Sequence, residues 1–124
     1  MTKIMVVDDD KDATALFEEV LRAEGYDPIL LNESAKAIQI AKQEKPSLFI
    51  LDLMMPEPDG FKLCRMLRRE PEFRNTPIII VTALNDTDSR IVAIGAGAND
   101  YLTKPFRLDE LYASIKDHLD DLEL

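Results

Sequence analysis

Three aspartates in succession, Asp8-Asp9-Asp10, with Asp12 just beyond them, follow directly on the apolar run Ile4-Met5-Val6-Val7. Carboxylates this close repel one another, and an uncompensated one taken out of water is costly. The cluster must therefore splay into solvent or gather around a cation. A second apolar run, Leu48-Phe49-Ile50-Leu51, also ends on an acid, Asp52. A third, Ile78-Ile79-Ile80-Val81, ends on Thr82, and Lys104 follows the short stretch Tyr101-Leu102-Thr103. Clustered carboxylates suit a hard divalent cation. A carboxylate can also act as a nucleophile, and an ammonium and a hydroxyl can neutralise and hold negative charge that develops beside them.

Whether these residues meet depends on the elements that carry them. Lys3 to Val7 reads as a short buried strand. Ala13, Leu16, Phe17, Val20 and Leu21 follow helical spacing, and Gly25 is a natural stop. A second strand runs from about Pro28 to Leu31, and Ser34 is suited to cap the helix that contains Ala35, Ile38 and Ala41. After the strand Leu48 to Leu51, a Pro-rich loop from Met54 to Gly60 leads into a helix through Arg69. The strand Ile78 to Val81 precedes a helix from about Asp86 to Ile94, which stops in Gly95-Ala96-Gly97. Tyr101 to Thr103 is a last short strand, and Leu108 to Leu122 an amphipathic helix. The pattern continues through Asp120-Asp121-Leu122-Glu123-Leu124.

Five strands alternating with five helices predict an α/β fold with a parallel sheet covered on both faces. Three strands are apolar throughout and belong at the centre. The strand at Pro28 lacks a donor and prefers an edge, and the fifth is short and mixed. The order 2-1-3-4-5, doubly wound and flavodoxin-like, satisfies these constraints. Ligands bind such sheets beyond the carboxyl ends of the strands where the order reverses. That crevice would collect Asp8, Asp9, Asp52 and Thr82.

Two other readings of the acids fit less well. Asp8, Asp10 and Asp12 alternate as in an EF-hand with Glu19 as the last ligand, but Ala13 stands where the sharp-turn glycine belongs and a strand precedes the loop. Asp8 and Asp10 have the spacing of a haloacid-dehalogenase phosphatase, but Asp12 stands where a threonine is expected and the chain offers no room for a cap. By contrast, Ile4 to Asp10, Leu51-Asp52-Leu53-Met54-Met55-Pro56 with Asp59-Gly60, Val81-Thr82-Ala83 and Tyr101-Leu102-Thr103-Lys104-Pro105-Phe106 occur in order, each at a strand end. Over essentially its whole length the chain resembles the receiver domain of two-component response regulators.

The resemblance implies that Asp52 accepts a phosphoryl group from a histidine kinase or a histidine phosphotransfer protein. It implies that Asp8 and Asp9 hold Mg²⁺ (or Mn²⁺) together with Asp52 and the Met54 carbonyl, and that Thr82 and Lys104 bind the phosphoryl group. Such a domain is not a conventional enzyme, but it catalyses its own phosphoryl transfer and a slow autodephosphorylation. Thr82 and Tyr101 would form a switch, Tyr101 filling space that Thr82 vacates. The switch biases the face made by the fourth helix, fifth strand and fifth helix, where a homodimer or an output domain would dock. Helix residues such as Asp12 and Thr14 would lie near the kinase-docking entrance. Lys104-Pro105 is a cis peptide in most of the family. Met54 and Leu84, two residues past Asp52 and Thr82, can neither orient nor admit a hydrolytic water and would lengthen the phosphorylated lifetime. The alternative from another class is a pseudo-receiver, an interaction module that is never phosphorylated.

At 124 residues the chain reads as a single receiver domain, 1–124, or as the N-terminal part of a longer chain. Its net charge of −9 disfavours direct nucleic-acid binding and docking on anionic membranes. No apolar run approaches the roughly 20 residues of a membrane span, no signal-peptide pattern leads the chain, and the single Cys64 suits a reducing, cytoplasmic setting. Cys64 itself keeps the register Phe61, Cys64, Leu67 of a core position. His118 borders the apolar stripe of the last helix and reads as an ordinary helix residue. Ser114 stands where winged-helix DNA-binding regulators often carry arginine, which counts against that subclass.

Overall fold

The computed structural model describes the backbone of residues 1–123 and the side chains of residues 1–119. Among these the elements alternate as β1 (Lys3–Val7), α1 (Lys11–Ala23), β2 (Asp27–Leu31), α2 (Ala37–Glu44), β3 (Leu48–Leu51), α3 (Gly60–Arg69), β4 (Ile78–Thr82), α4 (Thr87–Gly95), β5 (Asp100–Thr103) and α5 (Leu108–Glu123). All ladders are parallel, and the order is β2-β1-β3-β4-β5, as expected. Pro28 sits in the edge strand, in register with Ile4. The helical pattern read toward the terminus holds to Glu123; Leu124 lies outside the described residues.

The strand period of two splits the core between the two faces of the sheet. Ile4, Val6, Leu48, Ile50, Ile79 and Val81 point toward α1 and α5, where they meet Phe17, Leu21, Leu111 and Ile115. Met5, Val7, Phe49, Leu51, Ile78 and Ile80 point the other way, against Leu63, Leu67 and Ala93. Each fully buried aliphatic side chain contributes about 1.5–3 kcal/mol. The uninterrupted apolar runs are what a sheet covered on both sides requires.

Aspartates start three of the helices. Asp10 accepts from the Asp12 amide at 2.9 Å, Asp59 from Lys62 at 2.9 Å and Asp86 from Ser89 at 3.0 Å, each satisfying an otherwise orphaned donor. Asp10 is thus spent on the fold. Gly25 (φ 84°) follows α1 and Gly97 (φ 115°) follows α4, both in conformations that side chains rarely adopt.

The cap expected at Ser34 is not made. Residues Ser34–Lys36 form one 3₁₀ turn ahead of α2, with no side-chain cap on either segment. The Ser34 hydroxyl donates instead to the carbonyls of Pro58 at 2.7 Å and Pro56 at 3.0 Å, pinning the β2–α2 loop to the β3–α3 loop. The peptides Glu57–Pro58 and Lys104–Pro105 are cis.

At the opposite, amino-terminal end of the strands, Arg68 fastens α3 to two connections. Its guanidinium donates to the carbonyls of Phe73, Thr76 and Gly97 and to Asn99 Oδ1, at 2.6–3.0 Å. All five N–H donors are used on neutral oxygens. Burial holds the guanidinium below its ordinary pKa.

Candidate functional site

The last rungs of the sheet bring the site together. The Asp8 amide donates to the Leu31 carbonyl, the Asp52 amide to Val7, and the Lys104 amide to Thr82, at 3.0, 3.1 and 2.7 Å. Asp8, Asp52, Thr82 and Lys104 are thereby fixed by main-chain bonds between neighbouring strands. Asp8, Asp52 and Thr82 are buried, at 1%, 8% and 0% exposure, while Asp9 faces solvent. Carboxylate oxygens of Asp8, Asp9 and Asp52 all lie within 4.8 Å of one another.

Lys104 bridges the two buried acids. Its Nζ donates to Asp8 Oδ2 at 2.7 Å and to Asp52 Oδ2 at 3.2 Å. The other oxygens are also engaged: Asp8 Oδ1 accepts from the Asp10 amide at 3.0 Å and Asp52 Oδ1 from the Met54 amide at 3.2 Å. Burial pushes the Asp8 carboxyl above its ordinary pKa, and the neighbouring Asp52 charge adds to this against the pull of Lys104 and the Asp10 amide. Burial alone would lower the Lys104 ammonium, but the Asp8 hydrogen bond and the Asp52 charge outweigh it and the net direction is up. One cation thus serves two buried acids, with the third acid at the rim. A divalent ion fits this donor set: three convergent carboxylates of hard oxygen, one of them made unfavourable by burial without further positive charge.

Two residues that hold the site escaped the sequence reading as positioning groups. Asn32 Nδ2 donates to the Asp8 carbonyl at 2.8 Å and lies 3.0 Å from Thr14 Oγ1, locking the turn after β1. Nothing in the local sequence marks it. Gly60 packs its Cα against the main chain of Asp52, where a β-carbon would stand 2.1 Å from the Asp52 carbonyl oxygen. Its signal was available in the capping pair Asp59-Gly60.

The remaining expectations fall on both sides. Thr14 is buried by its bond network, so it presents nothing at the entrance, whereas Asp12 is exposed. Beside Asp12 a groove of about 320 Å³ runs between α1 and the β5–α5 loop, lined by Leu16, Phe17, Val20, Pro105, Phe106 and Leu108. Phe17 and Phe106 stack at 5.4 Å beneath it. Met54 is exposed and Leu84 half-buried against the core. The Tyr101 ring stands inside, 4% exposed, with its hydroxyl donating to the Leu84 carbonyl at 2.7 Å. Cys64 is buried, its thiol pushed up to about 11 by burial, and is inert. His118 Nδ1 lies 2.7 Å from the Ser114 carbonyl on its own helix. Ser114 is buried and donates to Asp100. No helix among the described residues is long and apolar enough to cross a membrane.

Comparison with known proteins agrees with this geometry. The family model described as the response regulator receiver domain matches residues 4–116. The DNA-binding dual master transcriptional regulator RpaA of Synechocystis sp. is 37% identical over 94% of this chain and 48% of its own length. The DNA-binding response regulator MtrA of Mycobacterium tuberculosis is 36% identical over 94% of this chain and 50% of its own. This chain spans about half the length of the curated relatives it matches. Both are DNA-binding by name, the class against which Ser114 counted. Among solved structures, a two-component response regulator from Clostridium difficile superposes with a TM-score of 0.92 at 31% identity, covering 100% of both chains. The BeF3-activated N-terminal receiver domain of Klebsiella pneumoniae RstA gives 0.89 at 32%, covering 95% of this chain and 98% of that one.

Proposed function

Because the chain belongs to the response regulator receiver domain family, we propose that Asp52 is its phosphoryl acceptor and that a histidine kinase or histidine phosphotransfer protein is the donor. One observation carries the assignment: Asp52 is the buried carboxylate placed between the Asp8/Asp9 pair and the Lys104 ammonium. A carboxylate oxygen of Asp52 attacks phosphorus as the donor's P–N bond breaks. Lys104, already within reach of Asp52, follows the negative charge onto the phosphoryl oxygens, and the Thr82 hydroxyl donates to one of them. The Met54 amide on Asp52 Oδ1 keeps the other oxygen directed.

Mg²⁺ (or Mn²⁺) fits the acidic cluster; Asp8, Asp9, Asp52 and the Met54 carbonyl would hold it, and when bound it neutralises charge on the transferring group. Asp8 holds Lys104 in place beside Asp52.

Thr82 and Tyr101 form the switch that carries the modification to the face of α4, β5 and α5, by shifting the population of two arrangements. Ile91, Val92 and Ile94 stand exposed on α4, which supports a second copy or an output domain as the partner there. The apolar groove beside Lys104 supports docking of the donor protein. The cytoplasm is the setting of this chemistry, and nucleic-acid contact is not assigned to a domain of net charge −9.

Incubation with a small-molecule phosphodonor and Mg²⁺ tests the assignment. Intact-mass analysis is expected to show one added phosphoryl group on the wild type and none on Asp52→Asn. Equal labelling of the two would overturn it, and no labelling of either would favour a pseudo-receiver.

A further inference from the structure

Tyr101 is held inside by two contacts from one stretch of chain. Its hydroxyl donates to the carbonyl of Leu84, two residues beyond Thr82. Over its ring lies the guanidinium of Arg90, with Cζ 4.9 Å from the centroid, within the range where a cation is attracted to an aromatic face. Leu84 belongs to the β4–α4 connection and Arg90 to the first half of α4. Arg90 has an alternative partner nearby in sequence: Asp86, four residues earlier, is suitably spaced for a helical ion pair. Asp86 instead turns both oxygens to Ser89, accepting from its amide at 3.0 Å and its hydroxyl at 2.8–2.9 Å. Among the described residues no carboxylate forms an ion pair with Arg90, and the ring face is its partner.

We propose that Arg90 latches Tyr101: the guanidinium over the ring and the Leu84 carbonyl on the hydroxyl hold the side chain inside. The ring then leaves only when α4 withdraws Arg90. The consequence for partners rests on the switch reading above, whereas the latch stands on the Tyr101 contacts alone. Arg90 is a positioning residue: it touches none of the reacting groups.

Tyrosine emission tests the latch, because the chain has no tryptophan and three tyrosines. In a Tyr26→Phe, Tyr112→Phe background, Tyr101 is the sole emitter, and its exposure is read by acrylamide quenching without any phosphodonor. Removing the cation with Arg90→Gln is expected to raise the outward population about 2- to 5-fold, the equilibrium effect of an exposed cation–π contact. Arg90→Lys, which keeps the charge, is expected to restore part of the protection. Asp86→Ala controls for mere fraying of α4, since it removes the cap without touching the ring; far-UV ellipticity verifies that each variant is folded. Unchanged quenching in Arg90→Gln would overturn the latch, as would an equal rise in Asp86→Ala. A chain in which Asp52 is not the acceptor would still pass or fail this experiment on its own terms.

Discussion

Gly60 and Asp52 touch through their main chains, so closely that a β-carbon on Gly60 would stand 2.1 Å from the Asp52 carbonyl oxygen and 2.6 Å from the Leu53 Cα. The neighbouring atoms are backbone and cannot rotate aside. Gly60→Ala must therefore move either α3 or the acceptor strand end. The expected cost is about 1–3 kcal/mol, as for overpacking elsewhere, measured by urea unfolding. Labelling of Asp52 by a small phosphodonor is expected to slow as well.

The acidic cluster predicts a metal effect. Binding to the folded state alone raises stability by mass action, about 2.7 kcal/mol at a hundredfold excess over Kd. Thermal melts are expected to shift upward with Mg²⁺ in the wild type and far less in Asp9→Asn. Asp9 is exposed, and among the described residues its side chain makes no hydrogen bond or ion pair, so this variant tests the site rather than the scaffold.

Asp8 predicts a dependence on pH. Its carboxyl titrates above its ordinary value in the fold because burial disfavours the charge. The folded state then holds the proton longer than the unfolded chain, so stability falls as pH rises from the ordinary carboxyl value through the raised one. In Asp8→Asn this fall is absent, and Lys104 retains Asp52 as its partner. Melts in a chelator from acid to neutral pH are expected to converge at the acid end, with the variant higher at neutral pH.

Met54 and Leu84 predict a slow loss of phosphate. Met54→Asn with Leu84→Glu introduces groups able to orient a water, and decay in Mg²⁺ buffer is expected to quicken roughly 5-fold, the effect of about 1 kcal/mol on the barrier. Because Leu84 packs against the core and Met54 is exposed, Met54→Asn alone separates the chemical effect from any repacking. Decay of labelled protein followed by intact mass measures both.

The groove between α1 and the β5–α5 loop predicts a donor-specific defect. Leu16 is 47% exposed at its edge. Leu16→Asp is expected to slow transfer from a phosphohistidine protein about tenfold, the loss of a modest interface anchor, and to leave labelling by a small phosphodonor unchanged. Parallel time courses with the two donors measure the difference.

How much of this was legible in the sequence follows from the range of the forces involved. The strands and their order were readable because Ile4–Val7, Leu48–Leu51 and Ile78–Val81 are buried on both faces, and that demand is written locally. Asp8, Asp52 and Thr82 were readable because each terminates or follows such a strand, whereas Lys104 follows the short edge strand β5 and was readable only through the motif around it. Ser34 was misread because its pattern fits a cap equally well; its real partners, the Pro56 and Pro58 carbonyls, lie more than 20 residues away. Thr14 went the same way, through Asn32. The inward ring of Tyr101 depends on a main-chain oxygen and on a guanidinium from another element, which no periodicity encodes.

Arg68 gives the domain a bolted end. Every donor of its guanidinium is tied to the connections that feed β4 and β5, while Thr82 and Lys104 stand at the far ends of the same strands. An optical reporter for this protein should therefore be placed by which end it rides on. A dye at exposed Arg74 or Asn75 is carried by the bolted end and serves as the fixed reference. A second dye at exposed Thr87 or Asp88, in the first turn of α4 that also carries Arg90, rides on the start of that helix. The distance between the two, followed before and after treatment with a phosphodonor, measures whether the start of α4 shifts against the bolted end.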